Sequence, residues 1–264
     1  MTLEQARAAL ASLVPPTERP GRVRLETDGN VARVIIEHRE AHGALTVRMM
    51  VELADAVAAL RSFEGNLVVV CGTDEPSFCS GGHVWDLEEA ITTQDAARSM
   101  SRAMTTVLDT LLDLPIPSVA AIGGPALGGG AEIATACDFR VMGDEARIQF
   151  VQARLGIAPG WGGTARLVRL LGRRKAFRVL CSQRSISPGE ATEIGLADHR
   201  CGPDAVEGAL VWLDDVRSLA SVAVRAVKRQ LVAREPEQAV EAFAELWNGA
   251  EHKKALGTLR RPKA

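Results

Sequence analysis

Ser118-Val-Ala-Ala-Ile122-Gly-Gly-Pro-Ala-Leu-Gly-Gly-Gly-Ala-Glu132-Ile-Ala-Thr-Ala-Cys137 is the stretch that decides the fold. Ser118 to Ile122 is short and apolar, as a buried strand is. Gly123 to Gly130 is a glycine-rich turn, and Ala131 to Cys137 reads as a helix opening directly on those glycines. Two upstream units repeat the pattern. Val31-Ala-Arg-Val-Ile-Ile36 is a β-branched strand followed by a helical stretch from Thr46 to Phe63. Leu67-Val-Val-Val-Cys71 is an uninterrupted apolar run, then a polar loop and a helical stretch from Gln94 to Leu114. Such a run is what a strand buried on both faces of a sheet requires. Strand, loop and helix in alternation predict an α/β fold with parallel strands joined by crossovers, its functional loops at the strands' carboxyl ends.

At the ends of the chain the pattern changes. An amphipathic start is closed by the breakers Pro15, Pro16, Pro20 and Gly21. Beyond Pro188 the composition shifts, and Pro203 to Arg234 and Pro236 to Leu256 carry helical periodicity without strands. The expected division is a core of residues 1–200 and a C-terminal helical extension of residues 201–264. No internal repeat, low-complexity tract or long linker separates independent domains.

With 264 residues, 47% of them hydrophobic, the chain can bury a substantial core, which excludes a disordered protein. The 31 basic and 33 acidic side chains leave a net charge of -2, without the electrostatic footprint of a nucleic-acid binder. Cys71, Cys79, Cys137, Cys181 and Cys201 are odd in number and lack CxxC spacing. They suggest neither a disulfide framework nor a metal site, and read as reduced, buried thiols of a cytoplasmic protein. The first twenty residues lack the pattern of a secretory signal, and no apolar run is long enough to span a membrane.

A second glycine loop, Ser77-Phe-Cys-Ser-Gly-Gly-His-Val-Trp85, follows the Leu67 to Cys71 strand. Glycines allow a ligand close to backbone N–H groups, and a helix N-terminus adds partial positive charge, so the two loops together can build an oxyanion hole. For either loop alone, tight turns and close helix packing are a sufficient explanation. The spacing of Gly123, Gly124 and Gly128 to Gly130 does not fit a dinucleotide GxGxxG site.

Three segments carry a resemblance to a known family: Phe78-Cys-Ser-Gly-Gly82, Ala126-Leu-Gly-Gly-Gly-Ala-Glu-Ile-Ala-Thr-Ala-Cys-Asp-Phe-Arg140, and Leu155-Gly-Ile-Ala-Pro-Gly-Trp-Gly-Gly-Thr-Ala-Arg-Leu167. In order and separation they resemble the enoyl-CoA hydratase/isomerase, or crotonase, superfamily. The resemblance implies a spiral of ββα units with a helical C-terminal region serving oligomerisation and active-site cover, assembly as trimers or dimers of trimers, and action on acyl thioesters of coenzyme A. Coenzyme A then enters as part of the substrate, with no permanently bound cofactor and no metal. Carried over residue by residue, the oxyanion-hole N–H groups fall on Gly82 and Gly129, and Glu132 matches the first of two catalytic glutamates of the hydratases. Taken alone, Glu132 reads equally as a capping or ion-pairing acid in the first turn of its helix.

The second glutamate is missing. Its position falls on Gln152, and between Glu145 and Glu190 there is no Asp or Glu. An amide orients water but cannot accept its proton, so efficient hydration is not expected. Decarboxylation of a malonyl-type thioester needs no base. Gln152 there removes a charge that would repel the substrate carboxylate, and Glu132, if burial keeps it protonated, supplies the proton. Gly160-Trp-Gly-Gly163 and Leu246-Trp-Asn-Gly249 resemble the methylmalonyl/ethylmalonyl-CoA decarboxylase branch. The expected function is therefore a lyase that decarboxylates a short malonyl-CoA-type substrate. The alternatives are a hydratase or isomerase using a single glutamate, and a non-catalytic acyl-CoA-binding or scaffold subunit.

Around this centre, His83 is a candidate contact for the substrate carboxylate or a proton donor, and equally a surface histidine closing a turn. Trp85 and Trp161 are candidates for the acyl pocket, or packing residues. The coenzyme A adenine is expected against backbone around Ala41 and Ala44, in Arg39-Glu-Ala-His-Gly-Ala-Leu45. Glu40 stands where relatives often place a cation, which leaves Arg39 or a neighbouring subunit to meet the phosphates. The acid-free stretch holds eight arginines and one lysine, including Arg173-Arg-Lys175. A phosphate-rich ligand or an acidic acyl carrier protein fits such a strip, as does a solvated face or subunit interface.

Overall fold

The computed structural model describes residues 1–73, 77–233 and 235–258. Asp74, Glu75 and Pro76 of the polar loop after Cys71, Arg234 at the end of the first C-terminal helical stretch, and residues 259–264 of the extension lie outside the described residues. Strands β1 (Arg22–Asp28) and β2 (Val31–Glu37) form an antiparallel hairpin that starts the main sheet. From β2 the sheet continues in parallel through β3 (Leu67–Gly72), β4 (Ser118–Ile122), β6 (Phe139–Met142) and β8 (His199–Arg200). A small second sheet pairs β5 (Pro125–Leu127) with β7 (Arg147–Gln149), also in parallel. The second strand of each pair, β4 then β5 and β6 then β7, steps into the small sheet before the next helix, which is the expected ββα spiral.

The helices are α1 (Leu3–Ala11), α2 (Val47–Leu60), α3 (Val84–Ala90), α4 (Gln94–Asp113), α5 (Gly129–Ala134), α6 (Gly163–Ser182) and α7 (Pro188–Ile194). The C-terminal region adds α8 (Ala205–Trp212), α9 (Asp214–Arg217), α10 (Ser221–Val232), α11 (Pro236–Ala244) and α12 (Ala250–Thr258). Helix α2 begins where expected, because the Thr46 hydroxyl accepts the Met49 N–H as an N-cap. The apolar run of β3 has the cause inferred for it. Val68 and Val70 pack with α1, α2 and α4 on one face, while Leu67, Val69 and Cys71 pack with Ala205, Ala209 and Leu213 of the α8 region on the other.

Three local expectations need correction. The helix read from Ala131 to Cys137 starts two residues earlier and ends at Ala134, and β5 lies inside the stretch read as a turn. Strand β1 was not read at all, since its Arg, Glu and Asp residues mask it; it is an edge strand with one buried residue, Val23. All five cysteines are free, but only Cys71, Cys79 and Cys137 are buried; Cys181 is exposed and Cys201 half-buried. No helix among the described residues is long and apolar enough to cross a membrane, and no group of metal-ligating side chains occurs among them.

Candidate active site

The two glycine loops meet backbone to backbone. Loop 78–83 is held against the segment before α2, with Leu45 N–H donating to Gly81 O (2.7 Å) and His83 N–H to Leu45 O (2.8 Å). Its other side joins β5, where Leu127 N–H donates to Cys79 O at 2.9 Å. A side chain at Gly81 would lie 2.9 Å from Leu127 O and 3.0 Å from Gly129 N, so only glycine lets the loops approach this closely. Gly129 is the first residue of α5, where an N–H has no intrahelical acceptor. Among the described residues neither the Gly82 nor the Gly129 N–H meets an acceptor.

The Trp161 indole covers this pair of glycines. A Cβ on Gly129 would lie 2.3 Å from the ring and one on Gly82 3.6 Å from it. Trp161 is 4% exposed, and its Nε1–H points at the Met100 sulfur, 3.1 Å away. The ring thus packs directly on the glycine pair.

One turn into α5, Glu132 is 2% exposed and its carboxylate is enclosed by four donors. Oε1 accepts from the N–H groups of Trp161 (2.8 Å) and Gly163 (2.9 Å); Oε2 accepts from Gln152 Nε2 (3.0 Å) and Gly160 N–H (3.3 Å). Burial pushes the Glu132 carboxyl above the ordinary carboxylate range. The bonds from Gly163, Trp161 and Gln152 and the charge of Arg166 oppose that shift without cancelling it. Gly163 opens α6, so the positive end of that helix's dipole also faces the carboxylate. Gln152 is itself buried, and its Oε1 has no hydrogen-bond partner among the described residues.

Arg166 locks this cage and was not singled out from the sequence, where it sat in the basic strip. It is 2% exposed. Its guanidinium donates to Trp161 O, to Glu132 O (3.4 Å) and to Asp109 (2.7 Å). The partner acid is far away in sequence on α4, so nothing local announced it. Leu87, Met100 and Ser101, which donates from its hydroxyl to Gly160 O (2.6 Å), also surround the site and were missed for the same reason. Much of the strip lies outward: Arg154, Arg169, Arg173, Arg174 and Arg178 are exposed and have no ion pair among the described residues.

His83 has a structural task at the start of the next helix. It is the N-cap of α3, its Nδ1 accepting the Asp86 N–H at 3.2 Å, which leaves the neutral ring's proton on Nε2. The ring stacks on buried His38 (5.4 Å between centroids), whose Nδ1–H donates to Ala44 O at 2.7 Å. Burial, His38 and Arg19 push His83 below its usual pKa. No hydrogen bond joins it to Glu132, Gln152 or Trp161 among the described residues. Trp85, on α3, is 67% exposed and leaves the lining of the glycine pair to Leu87. Ala41 and Ala44 sit in the segment that carries the 78–83 loop. Ala41 O accepts from Ala44 N–H (2.9 Å) and from the Ser80 hydroxyl (2.9 Å), so that segment and the glycine loop are one unit.

Two backbone N–H groups without acceptors, a buried glutamate one turn beyond one of them, and a ββα spiral that holds them together form a recognisable constellation. The model of the enoyl-CoA hydratase/isomerase family matches residues 26–251. The chain belongs to this family. Among relatives, it is 34% identical over 242 residues to the ethylmalonyl-CoA decarboxylase of Xenopus laevis, covering 88% of this chain and 80% of that one. It is 36% identical over 225 residues to the ethylmalonyl-CoA decarboxylase of Gallus gallus, covering 81% and 75%. Among solved structures, the enoyl-CoA hydratase of Bacillus anthracis superposes with a TM-score of 0.81 at 26% identity over 89% of this chain and 95% of that one. The crotonase fold read from the motifs is thereby shown, with the helical C-terminal region following the core.

Proposed function

We propose that this enoyl-CoA hydratase/isomerase family member is a lyase that decarboxylates a short malonyl-type coenzyme A thioester, methylmalonyl- or ethylmalonyl-CoA. The observation that carries the reading is Gln152 on Glu132: the buried centre holds one carboxylate, and the neighbour that would have been a second is an amide bonded to it at 3.0 Å. The names of the relatives support the same chemistry. In the reaction the Cα–carboxylate bond breaks, its electron pair enters the thioester as an enolate, and carbon dioxide leaves. The Gly82 and Gly129 N–H groups hold the enolate oxygen, and each such donor contributes about 3 kcal/mol to the transition state. Glu132 then places a proton on Cα, a role consistent with burial raising its pKa.

The loop of Ala41 and Ala44 takes the adenine end of coenzyme A in this proposal, and the exposed arginines of α6 accept its phosphates or an acyl carrier protein. Residues 201–264 serve assembly into trimers and cover the site in a cytoplasmic enzyme. The test is incubation of the purified protein with methylmalonyl-CoA, ethylmalonyl-CoA and crotonyl-CoA, following carbon dioxide release and thioester masses. Decarboxylation of a malonyl thioester is expected; hydration of crotonyl-CoA at ordinary enzymatic rates without decarboxylation overturns it, and binding without turnover favours a scaffold.

A further inference from the structure

We propose that the Gln152 carboxamide is a proton-coupled switch, donating to Glu132 when that carboxyl is ionised and turning over to accept from it when it is protonated. For its use in turnover this rests on the decarboxylase reading; the switch itself is a property of the ligand-free site.

The argument starts from the bonding capacity of the glutamate. Each carboxylate oxygen already accepts two hydrogen bonds. A proton on Glu132 therefore has to be received by one of the groups now donating to it. Three of these, the N–H groups of Gly160, Trp161 and Gly163, are backbone donors and cannot accept. Gln152 alone carries both an acceptor and a donor on one rotatable group. Its acceptor is the buried Oε1 that lacks any partner among the described residues. An unpaired buried oxygen is an unfavourable arrangement, and turning the amide over a protonated Glu132 gives that oxygen a donor. The turned amide leaves N–H groups where the oxygen had been, the polarity that an anionic substrate favours.

Other charges around the carboxyl do not compete for this role. Arg166 of α6 faces Glu132 but binds its backbone carbonyl, is paired with Asp109 of α4 and stands near Arg169. The Thr135 hydroxyl donates to the same carbonyl at 2.7 Å. Arg166 has no acceptor, and the Thr135 oxygen, which takes the Arg166 Nε–H at 3.4 Å, makes no bond to the Glu132 carboxylate among the described residues.

The switch matters because each decarboxylation uses one proton. Glu132 gives it to Cα and is left ionised within four donors; solvent must then return a proton to a site whose hydrogen bonds favour the ionised form. An amide that changes from donor to acceptor keeps both states bonded. Gln152 acts here through Glu132, as a positioning residue.

The test is a pH titration of the ligand-free protein by NMR, following the Gln152 side-chain amide and the Glu132 carboxyl carbon. The two are expected to move with one common midpoint, and the Gln152 response to vanish in Glu132→Gln. In Gln152→Met, which fills the space without a strong donor or acceptor, the Glu132 midpoint is expected to rise by about one unit, because the lost bond to the ionised form is the stronger one. A Gln152 amide indifferent to pH while Glu132 titrates, or a Glu132 that stays ionised down to acid unfolding, overturns the switch. Failure of the decarboxylase reading would show separately, in the turnover assay, and leave this titration standing.

Discussion

Replacing Gln152 by Glu asks directly why an amide occupies that place. Its nitrogen is 3.0 Å from Glu132 Oε2, so the new carboxylate oxygen would stand at about the same distance. Two full charges about 3 Å apart repel by about 5 kcal/mol at an effective dielectric of 20, equivalent to about four pKa units. The pair therefore keeps one shared proton at neutral pH and carries one net negative charge. If the substrate carboxylate binds about 6 Å away, that charge opposes it by about 3 kcal/mol, or about a hundredfold in kcat/KM for decarboxylation. The expected result for Gln152→Glu is this loss with methylmalonyl- or ethylmalonyl-CoA, together with a gain in crotonyl-CoA hydration, since the pair now contains a base. Gln152→Met, uncharged, is the control and should lose less than tenfold at neutral pH. The assay is steady-state release of carbon dioxide beside hydration of crotonyl-CoA, with circular dichroism to establish that both variants fold. Undiminished decarboxylation by Gln152→Glu would refute the argument, because a like charge at that position would then be irrelevant to the substrate.

Three further outcomes are expected. Gly129→Ala drives a Cβ to 2.3 Å from the Trp161 ring, whereas Gly82→Ala meets only the movable end of Leu87 at 2.4 Å; the first should lower both Tm and turnover, the second turnover far more than Tm, in paired melting and kinetic measurements. Arg166→Met leaves the Trp161 carbonyl without its side-chain donor and the Glu132 carbonyl to the Thr135 hydroxyl, and should cost about 3 kcal/mol in urea unfolding, with a weakened Glu132 cage visible as a changed pH profile of kcat. Because the folded-state pKa of Glu132 is raised, the native protein binds more protons than the unfolded chain between the usual carboxylate value and the raised one; the Tm of the protein relative to Glu132→Gln should therefore rise as pH falls through the raised value towards the usual carboxylate range.

Much of the core was legible because its periodicities are local. The apolar run of β3, the helical stretch that opens at Thr46 and the glycines opening α5 all announce themselves within a few residues, and Gly82, Gly129, Glu132, Gln152 and Trp161 do meet in one place. What escaped reading depends on partners distant in sequence. Arg166 looks like one more cation of a basic strip until Asp109, fifty-seven residues earlier, is brought beside it. His83 offers the reverse lesson. A histidine at the end of a glycine loop suggests chemistry, and the need of α3 for an N-cap and the stacking on His38 also give its ring a structural occupation that spacing alone does not reveal. Trp85 and Leu87 differ by two positions on a short helix, enough to turn one outward and the other onto Gly82.

The absence of carboxylates from Ala146 to Gly189 has a structural meaning that its position in the chain hides. This is the segment that wraps Glu132, supplying Gln152, the N–H groups of Gly160, Trp161 and Gly163, and Arg166. An acid beside one of these contacts would compete for the same donors or repel the glutamate. Without one, two opposed effects set the proton affinity of Glu132: burial, which favours the neutral acid, and a ring of donors with a helix N-terminus, which favours the anion. Burial prevails and holds the carboxyl above the ordinary range, so the proposed proton transfer to Cα draws on a group whose neutral form is favoured by burial and whose ionised form is bonded by the ring of donors. The same balance explains why the neighbouring group is neutral: a second glutamate would raise the proton affinity by several units and fix one form, whereas an amide can bond to either.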